Sequence, residues 1–405
     1  MTIGVKYLSY PEHSGYGLAA LAYLRALHNA GVPVWWAPLI HRGDRHVIWR
    51  PHDGIDCLQL ACEAESDAAL QDIAALAQAA GPKACDTLIL QTVPEHWPQF
   101  IEPDKQNIGF TVWETDALPP HWLPLLNAPD KLFVPCAMNE SLFLREGVTK
   151  PVRTIAHIRR HAWSEVSHAD QLALRRQLDI PEDHFVFYTI GVWDPRKALD
   201  RLVCQFARVF SGHDKVSLVI KTSTAVHRLA RDRGPPGGIR QWVSNLLEQT
   251  AAETGRPSPH VAVIAADGVA GRLIDTLHST GDCFVSLGHG EGWGMGAFDA
   301  ATLGKPVLIA GFGGPSEYLG DDYPGLIDYA MVPVSGWAPE ASFRLPQRWA
   351  RPDADHAARL LRAMVARHVD FLDPAARVSE RILNRYAEHV MAREMIAAID
   401  ASVAC

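Results

Sequence analysis

The sequence predicts an α/β fold with two doubly wound parallel sheets, each in its own domain. Short apolar runs alternate with amphipathic stretches along almost the whole chain, as strands and helices do in a parallel sheet. The same rhythm begins again after about residue 165, and a glycine-rich turn joins a strand to a helix near residue 290. A chain of 405 residues is long enough for two or three domains.

The first half of the chain contains apolar runs of strand length and one clear amphipathic helix. In this helix, Leu18, Leu21 and Leu24 recur at helical spacing within residues 17–30. We therefore assign residues 1–165 to an N-terminal domain. Its predicted strands are residues 3–8, 32–36, 86–91, 107–113 and 131–134.

The second half repeats this order and ends in a helical tail. We assign residues 166–385 to a second domain, with the linker inside residues 151–167. Residues 386–405 are expected to form a C-terminal helix that crosses back to the first domain. The predicted strands are residues 185–191, 216–220, 260–265, 283–287 and 306–309, and the predicted helices are residues 197–210, 242–253, 271–279 and 294–303.

Composition excludes several classes of protein. The formal net charge of −8 disfavours a protein whose main task is to neutralise nucleic-acid phosphates. The seven cysteines are scattered without a C-x-x-C pair, which disfavours a disulfide scaffold or a zinc ribbon. We see no leader pattern and no run of about 18 apolar residues, so we expect a soluble cytoplasmic protein.

The glycine-rich turn carries the strongest chemical signal. Gly292, Gly294 and Gly296 allow the backbone to approach a ligand closely, and free N–H groups at a helix start suit a diphosphate. Glu291 lies in the turn as an acceptor for hydroxyl groups. Asp299 lies in the second turn of the helix, where a carboxylate can accept hydrogen bonds from two ribose hydroxyls.

The run Glu291-Gly-Trp-Gly-Met295 resembles a motif of retaining glycosyltransferases of the two-Rossmann-domain class GT-B, specifically family 4 (glycosyl transferases group 1). That family carries two acids in an E-x7-E spacing, and here Asp299 replaces the second Glu. Residues 304–308 and 313–318 are similar to the family's next strand and loop.

The resemblance implies a donor site for a nucleotide sugar in the second domain and an acceptor site in the first, facing each other across a central cleft. The backbone amides of Gly292, Trp293, Gly294 and Met295 would contact the diphosphate, and Asp299 the ribose. It also implies retention at the anomeric carbon and a metal-independent enzyme without a cofactor.

Two adjacent cations, Arg196 and Lys197, follow the first strand of the second domain. Such a pair could hold a pyrophosphate and stabilise its charge as it leaves. Lys197 matches the family's lysine, whereas the usual arginine directly after the strand is missing. Arg196, or Lys221 at the end of the next strand, would supply that charge; the alternative for both is a solvated surface position.

Three further positions are candidates. Gly17, at the start of the first helix, resembles the family's glycine-rich loop against the donor phosphate; a simple tight turn is the alternative. Glu114 stands where many relatives have a histidine, and would orient the acceptor hydroxyl or act as its base. A helix cap or a structural hydrogen bond is the alternative for Glu114. Val269 lies in a loop that resembles the one whose backbone contacts the nucleobase.

Two histidines are candidate metal ligands, and a basic segment is a candidate membrane contact. His157 and His161 have H-x-x-x-H spacing, but two arginines and no carboxylate lie between them, so we expect no metal site. The basic segment 145–160, which begins at Arg145 and ends at Arg160, would contact an anionic bilayer or a lipid-phosphate acceptor. A solvated hinge face is the alternative.

The sequence therefore predicts a retaining glycosyltransferase that moves a sugar from a nucleotide diphosphate to an acceptor hydroxyl on a glycan or glycolipid. Two alternatives remain: a non-catalytic scaffold partner with the same fold, and a nucleotide-sugar epimerase or hydrolase that needs no acceptor.

Overall fold

The computed structural model describes residues 4–11, 14–50, 75–77, 85–160, 162–224, 237–267, 271–335 and 342–401. The chain divides into two compact units. Unit 1 contains Met1–Trp113, Leu118–His161 and Leu383–Cys405, and unit 2 contains Glu114–Ala117 and Ala162–Ile382. The predicted domain limits at residues 165 and 385 stay predictions.

Unit 1 is built on a sheet in the order β3-β2-β1-β4-β5-β6-β7. All neighbouring strands are parallel except β2 and β3, which form an antiparallel hairpin. This hairpin lengthens the strand predicted at residues 32–36 and adds one that the sequence pattern did not show. The strands are β1 Val5–Ser9, β2 Val34–Arg42, β3 Arg45–Ile48, β4 Thr87–Gln91, β5 Gln106–Phe110, β6 Lys131–Val134 and β7 Val152–Thr154.

The helices of this part of the chain include the predicted amphipathic one, α1. Ser14 caps it, because its side-chain oxygen accepts a hydrogen bond from the N–H of Gly17 at 3.2 Å. The helices are α1 Gly15–Asn29, α2 Trp97–Phe100, α3 Trp122–Leu126 and α4 Ala137–Arg145.

Unit 2 contains a second parallel sheet, in the order β10-β9-β8-β11-β12-β13. Its strands are β8 Phe185–Ile190, β9 Val216–Thr222, β10 His260–Ala265, β11 Cys283–Val285, β12 Val307–Ala310 and β13 Leu326–Ile327. The helices are α5 His168–Gln177, α6 Leu199–Val209, α7 Gly238–Thr254, α8 Gly271–Thr280, α9 Met295–Thr302 and α10 Gly314–Leu319.

An antiparallel hairpin follows this sheet, with β14 at Tyr329–Pro333 and β15 at Arg348–Pro352. The sequence analysis did not predict it. Its alternate residues do not form an apolar face: β14 is exposed or half-buried throughout, and β15 buries Trp349, Ala350 and Pro352. The period-two signal of a strand is therefore absent.

The core of unit 2 explains why α6 forms where it does. Leu202, Val203 and Phe206 recur at helical spacing and are fully buried, together with Phe187 and Leu218 of the sheet. Burial of each such side chain contributes roughly 1.5–3 kcal/mol. This packing fixes α6, and with it the loop that precedes it.

The tail is helical, as the pattern predicts, with α11 at Ala354–Ala366, α12 at Val369–Arg385 and α13 at Glu388–Asp400. In unit 1, α13 packs on α1, and Arg25 Nε lies 2.7 Å from Glu388 Oε2. The Lys131 ammonium of β6 donates to the carbonyl oxygens of Ile399 at 3.2 Å and Ala401 at 2.9 Å. Within the described ranges, no helix combines the length and the apolar composition needed to cross a bilayer.

Gly109 tests the close packing of unit 1. A Cβ atom there would lie 2.5 Å from the indole ring of Trp97 and 2.9 Å from the side chain of Leu132. We expect Gly109→Ala to cost about 1–3 kcal/mol of stability, since the crowded core must move. Gly15→Ala is the control, because a Cβ at Gly15 meets nothing within 4 Å. Thermal unfolding of both variants checks this, and equal melting temperatures would contradict it.

Candidate functional site

A tight turn between β8 and α6 presents two cations. The N–H of Lys197 donates to Asp194 Oδ1 at 2.7 Å, and the N–H of Ala198 donates to the carbonyl oxygen of Asp194 at 3.1 Å. Ala198 has left-handed backbone angles, with φ 48° and ψ 42°, and α6 begins directly after it. Asp194 therefore fixes the turn that carries Arg196 and Lys197.

The loop after β11 is attached to this turn by its backbone. The N–H of His289 donates to the carbonyl oxygen of Arg196 at 2.7 Å. The His289 ring stacks on Trp349 at 4.4 Å with an interplanar angle of 6°, and its Nδ1 lies 2.8 Å from the carbonyl oxygen of Ala350. Burial lowers the pKa of His289 to about 4, so the ring is neutral near pH 7.

Four charged side chains of unit 2 form one cluster, which we call the Arg196 cluster: Glu114, Arg196, Lys197 and Glu291. Arg196 Nη1 lies 3.2 Å from Glu291 Oε2, and Arg196 Nη2 lies 3.7 Å from Glu114 Oε1. The Lys197 ammonium pairs with the other oxygen of Glu291. All four side chains are at most 19% exposed. Arg196 is thus held between two carboxylates.

The two carboxylates have opposite pKa shifts. Burial alone would raise the pKa of Glu291, but the charges of Lys197 and Arg196 outweigh it, so the pKa lies below its ordinary value. For Glu114, burial is the larger effect and raises the pKa, although Arg196 opposes it. Glu291 therefore stays ionised, whereas Glu114 takes up a proton more readily.

A close backbone contact supports Glu291. The N–H of Gly314 donates to the carbonyl oxygen of Glu291 at 2.9 Å. A Cβ atom on Gly314 would lie 2.3 Å from the carbonyl oxygen of Gly292 and 2.4 Å from the Cα of Trp293, so only glycine fits. Residues 313–318, which resemble a loop of the family, thus pack directly against the backbone of the Glu291 loop.

The predicted donor-binding residues near Glu291 have different surroundings. Gly294 has φ 83° and precedes Met295, the first residue of α9. Trp293 is 3% exposed, and its ring packs on Phe298 at 5.1 Å. Its indole therefore supports the loop, and only the backbone of Trp293 remains for a ligand.

Four of the predicted site residues line the same small pocket. Lys197, Glu291, Gly294 and Gly296 all line it. Asp299 does not line this pocket; its charge adds to burial in raising the pKa of Tyr188. The glycine-rich turn, the lysine and the first acid of the motif thus meet in one place.

Of the remaining predicted residues, Lys221 lies beside the pocket, because it pairs in register with Ile190 of β8, which lines the pocket. Lys221 is the sixth residue of β9, where burial lowers its pKa against the opposing charge of Asp267. Gly17 lies in the first turn of α1, in unit 1. Val269 falls outside the described residues.

Two positioning residues of this site, Asp194 and His289, were missed by the sequence analysis. Asp194 had a readable signal, because an Asp before Pro195 and three residues before Lys197 is typical of a side-chain-capped turn. His289 had none, because its partners Trp349 and Ala350 lie in a hairpin that the sequence did not predict.

The histidine spacing has a structural explanation. The Tyr23 hydroxyl lies 3.0 Å from His157 Nδ1, and burial lowers the pKa of His157 to about 3. His161 falls outside the described residues. In the described part of the chain, no three His, Cys, Asp or Glu side chains are grouped to hold a metal ion.

Comparisons with known proteins show similarity in sequence and in fold. Residues 170–328 match the family described as "Glycosyl transferases group 1". D-inositol 3-phosphate glycosyltransferase of Geodermatophilus obscurus is 28% identical over 165 residues, which cover 39% of this chain and 33% of that protein. The matched region thus spans about a third of the length of this curated relative.

Two solved structures extend the likeness to the whole chain. Anabaena HepE in complex with UDP and glucose has a TM-score of 0.60 at 14% identity, over 98% of this chain and 99% of that one. Sucrose-phosphate synthase from Thermosynechococcus elongatus has a TM-score of 0.62 at 15% identity, over 98% of both chains. At such low identity these likenesses show the fold alone.

The chain therefore has the GT-B fold, with two Rossmann-like parallel-sheet units, as predicted. Within it, residues 170–328 match the glycosyl transferases group 1 family, so the predicted resemblance to that family is confirmed.

A substitution at Gly314 tests its close contact with the backbone of the Glu291 loop. We expect Gly314→Ala to lower the melting temperature by several degrees, because its Cβ would overlap fixed backbone atoms. Gly311→Ala is the matched control, since a Cβ there would make ordinary contact with Leu326 at 3.7 Å. Thermal unfolding measures both, and a control as damaging as Gly314→Ala would contradict the explanation.

Glu114 gives a prediction about pH. Because folding raises the pKa of the Glu114 carboxyl, this group stabilises the folded state fully at a pH below its ordinary pKa. The stabilisation is lost as the pH rises through the raised pKa. The melting temperature of the wild type relative to Glu114→Gln should therefore be higher at about pH 5 than at about pH 8. Glu291→Gln should show the opposite dependence of the melting temperature on pH. The lowered pKa of Glu291 stabilises the folded state, and this stabilisation is lost on acidification. A melting temperature of the wild type that rises with pH relative to that of Glu114→Gln would contradict the raised pKa of Glu114.

Proposed function

We propose that the protein is a retaining glycosyltransferase, which moves a sugar from a nucleotide diphosphate sugar to an acceptor hydroxyl. One observation carries the proposal: a buried Glu291 carboxylate, paired with Arg196 and Lys197, lies in the glycine-rich loop of the group 1 domain. In parallel sheets, such loops at the carboxyl ends of strands are where ligands bind.

The donor's diphosphate would lie at the start of α9. The first backbone N–H groups of a helix have no partner within the helix, and its dipole favours an anion there. Gly294 and Gly296 keep that approach free of side chains, and the ammonium of Lys197 lines the same pocket. Structures of HepE were solved with UDP, with UDP and glucose, and with UDP-glucose, which supports a nucleotide-sugar donor of this kind.

Glu291 would recognise the sugar. Its lowered pKa keeps it ionised, so both oxygens accept hydrogen bonds from sugar hydroxyls. Donor binding would shift Lys197 and Arg196 from Glu291 toward the phosphate oxygens. The same two cations would then stabilise the charge that develops on the leaving diphosphate.

Glu114 would position Arg196. Its Oε1 is 3.7 Å from the guanidinium, and a Cβ atom on Gly290 would lie 2.5 Å from the carbonyl oxygen of Glu114. The backbone of Glu114 is thus packed directly against Gly290. Action as the base for the acceptor hydroxyl is the alternative, and the raised pKa of Glu114 favours that role in principle.

The finer parts of the proposal rest on the resemblance and on surface charge. We propose metal-independent transfer, with Asp299 on the ribose and the backbone around Val269 on the nucleobase. The acceptor would be a hydroxyl on a glycan or glycolipid. The protein would be cytoplasmic, with the exposed Arg145 and Arg153 of segment 145–160 contacting an anionic membrane surface.

A thermal-shift panel tests the donor. UDP, GDP, ADP and dTDP, each with and without a common sugar, are added to the wild type and to Glu291→Ala. We expect one nucleotide family to raise the melting temperature, more so with its sugar attached. Glu291→Ala should retain the shift by the bare nucleotide, lose the extra shift from the sugar and abolish transfer.

Turnover separates the alternatives. A scaffold partner would show no transfer with any donor and acceptor. A hydrolase or epimerase would consume or isomerise the donor without an acceptor. A wild-type rate in Glu291→Ala would refute the role given to this residue.

A further inference from the structure

A second cavity lies in unit 2 between α6, α7 and the start of α11. Its volume is about 300 Å³, near the lower end for small-molecule sites. One side is apolar, with Leu246, Leu287 and Ala357. It shares no lining residue with the pocket at Glu291. The cavity is therefore separate from the proposed donor site.

The polar groups that line this cavity are mostly engaged. Arg208 Nη2 lies 2.9 Å from Glu253 Oε2. The amide of Gln205 donates to the carbonyl oxygen of Ala354 at 2.7 Å. Asp353 caps α11, accepting the N–H of His356 at 2.7 Å. Asp200 lines the cavity as well, and its carboxylate accepts the backbone N–H of Arg201 at 2.9 Å.

Arg201 is the exception. We find no hydrogen bond or ion pair of its guanidinium among the described residues, and only its backbone N–H is bonded, to Asp200 Oδ1 at 2.9 Å. Burial and the nearby charge of Arg351 lower the pKa of Arg201, and the charge of Asp200, which also lines the cavity, opposes them. The half-buried guanidinium lines the cavity, so its five N–H donors are available to an acceptor that enters it.

We propose that this cavity binds a small organic anion, whose phosphate or carboxylate group pairs with Arg201 and whose apolar part contacts Leu246, Leu287 and Ala357. The planar guanidinium matches either anion with two parallel hydrogen bonds. Arg201 is the third residue of α6, the helix that begins two residues after Lys197, so a ligand here would contact the helix next to the Arg196 cluster. The site thus has the position of an effector site.

The experiment is titration calorimetry of the whole protein with phenyl phosphate and with benzoate, which carry the same ring and differ in the anionic group. We expect at least one probe to bind, and the preferred probe identifies that group. Arg201→Gln should weaken binding about tenfold or more. Arg208→Gln is the matched control, with the same change of charge in the same cavity, and should change affinity by less than about threefold.

Three outcomes overturn the proposal. They are no binding of either probe, binding that survives both Arg201→Gln and Lys197→Gln, and binding that survives Arg201→Gln but is lost in Lys197→Gln, which would place the probe at the proposed donor site. Where Arg201→Gln unfolds, Arg201→Lys takes its place. Lys keeps the charge without the planar fork, so binding should be weaker than in the wild type.

Discussion

The buried ion cluster around Arg196 constrains the rest of the site. A guanidinium in a largely dry environment must be neutralised, and removal of one partner of such a pair leaves an uncompensated charge. Glu291 and Glu114 neutralise it from two separate loops, and the carbonyl oxygen of Gly290 accepts from Nη1 at 2.8 Å. The loops after β8 and β11 therefore hold each other in place through one side chain.

This constraint explains several features that look unrelated. Asp194 and the left-handed Ala198 form a turn that places Arg196 and Lys197 side by side. Gly314 allows the Glu291 loop to rest directly on the backbone of the next loop. His289 joins the two loops by a backbone hydrogen bond and stays neutral, so it adds no third cation. Each feature serves the geometry of the cluster and is not itself chemically reactive.

The cluster is nearly neutral as it stands, with two cations and two carboxylates. An incoming diphosphate would have to share the cations with Glu291, and a sugar hydroxyl would then satisfy the carboxylate. A site organised in this way prefers a ligand that supplies both an anion and hydroxyl groups. The anion proposed at Arg201 rests on a different observation: among the described residues, the Arg201 guanidinium makes no hydrogen bond or ion pair, although the charge of Asp200 is nearby.

The sequence by itself determined the two sheets, most strand positions and the glycine-rich loop with Glu291, because apolar periodicity and glycine placement are local properties. Only the tertiary structure decided that Glu114 joins Arg196 and Glu291, since these residues are far apart in the chain and meet through folding. The same holds for the β14–β15 hairpin and for the buried indole of Trp293, whose packing on Phe298 leaves only its backbone for a ligand. Pairing and burial depend on contacts between distant segments, which no local pattern contains.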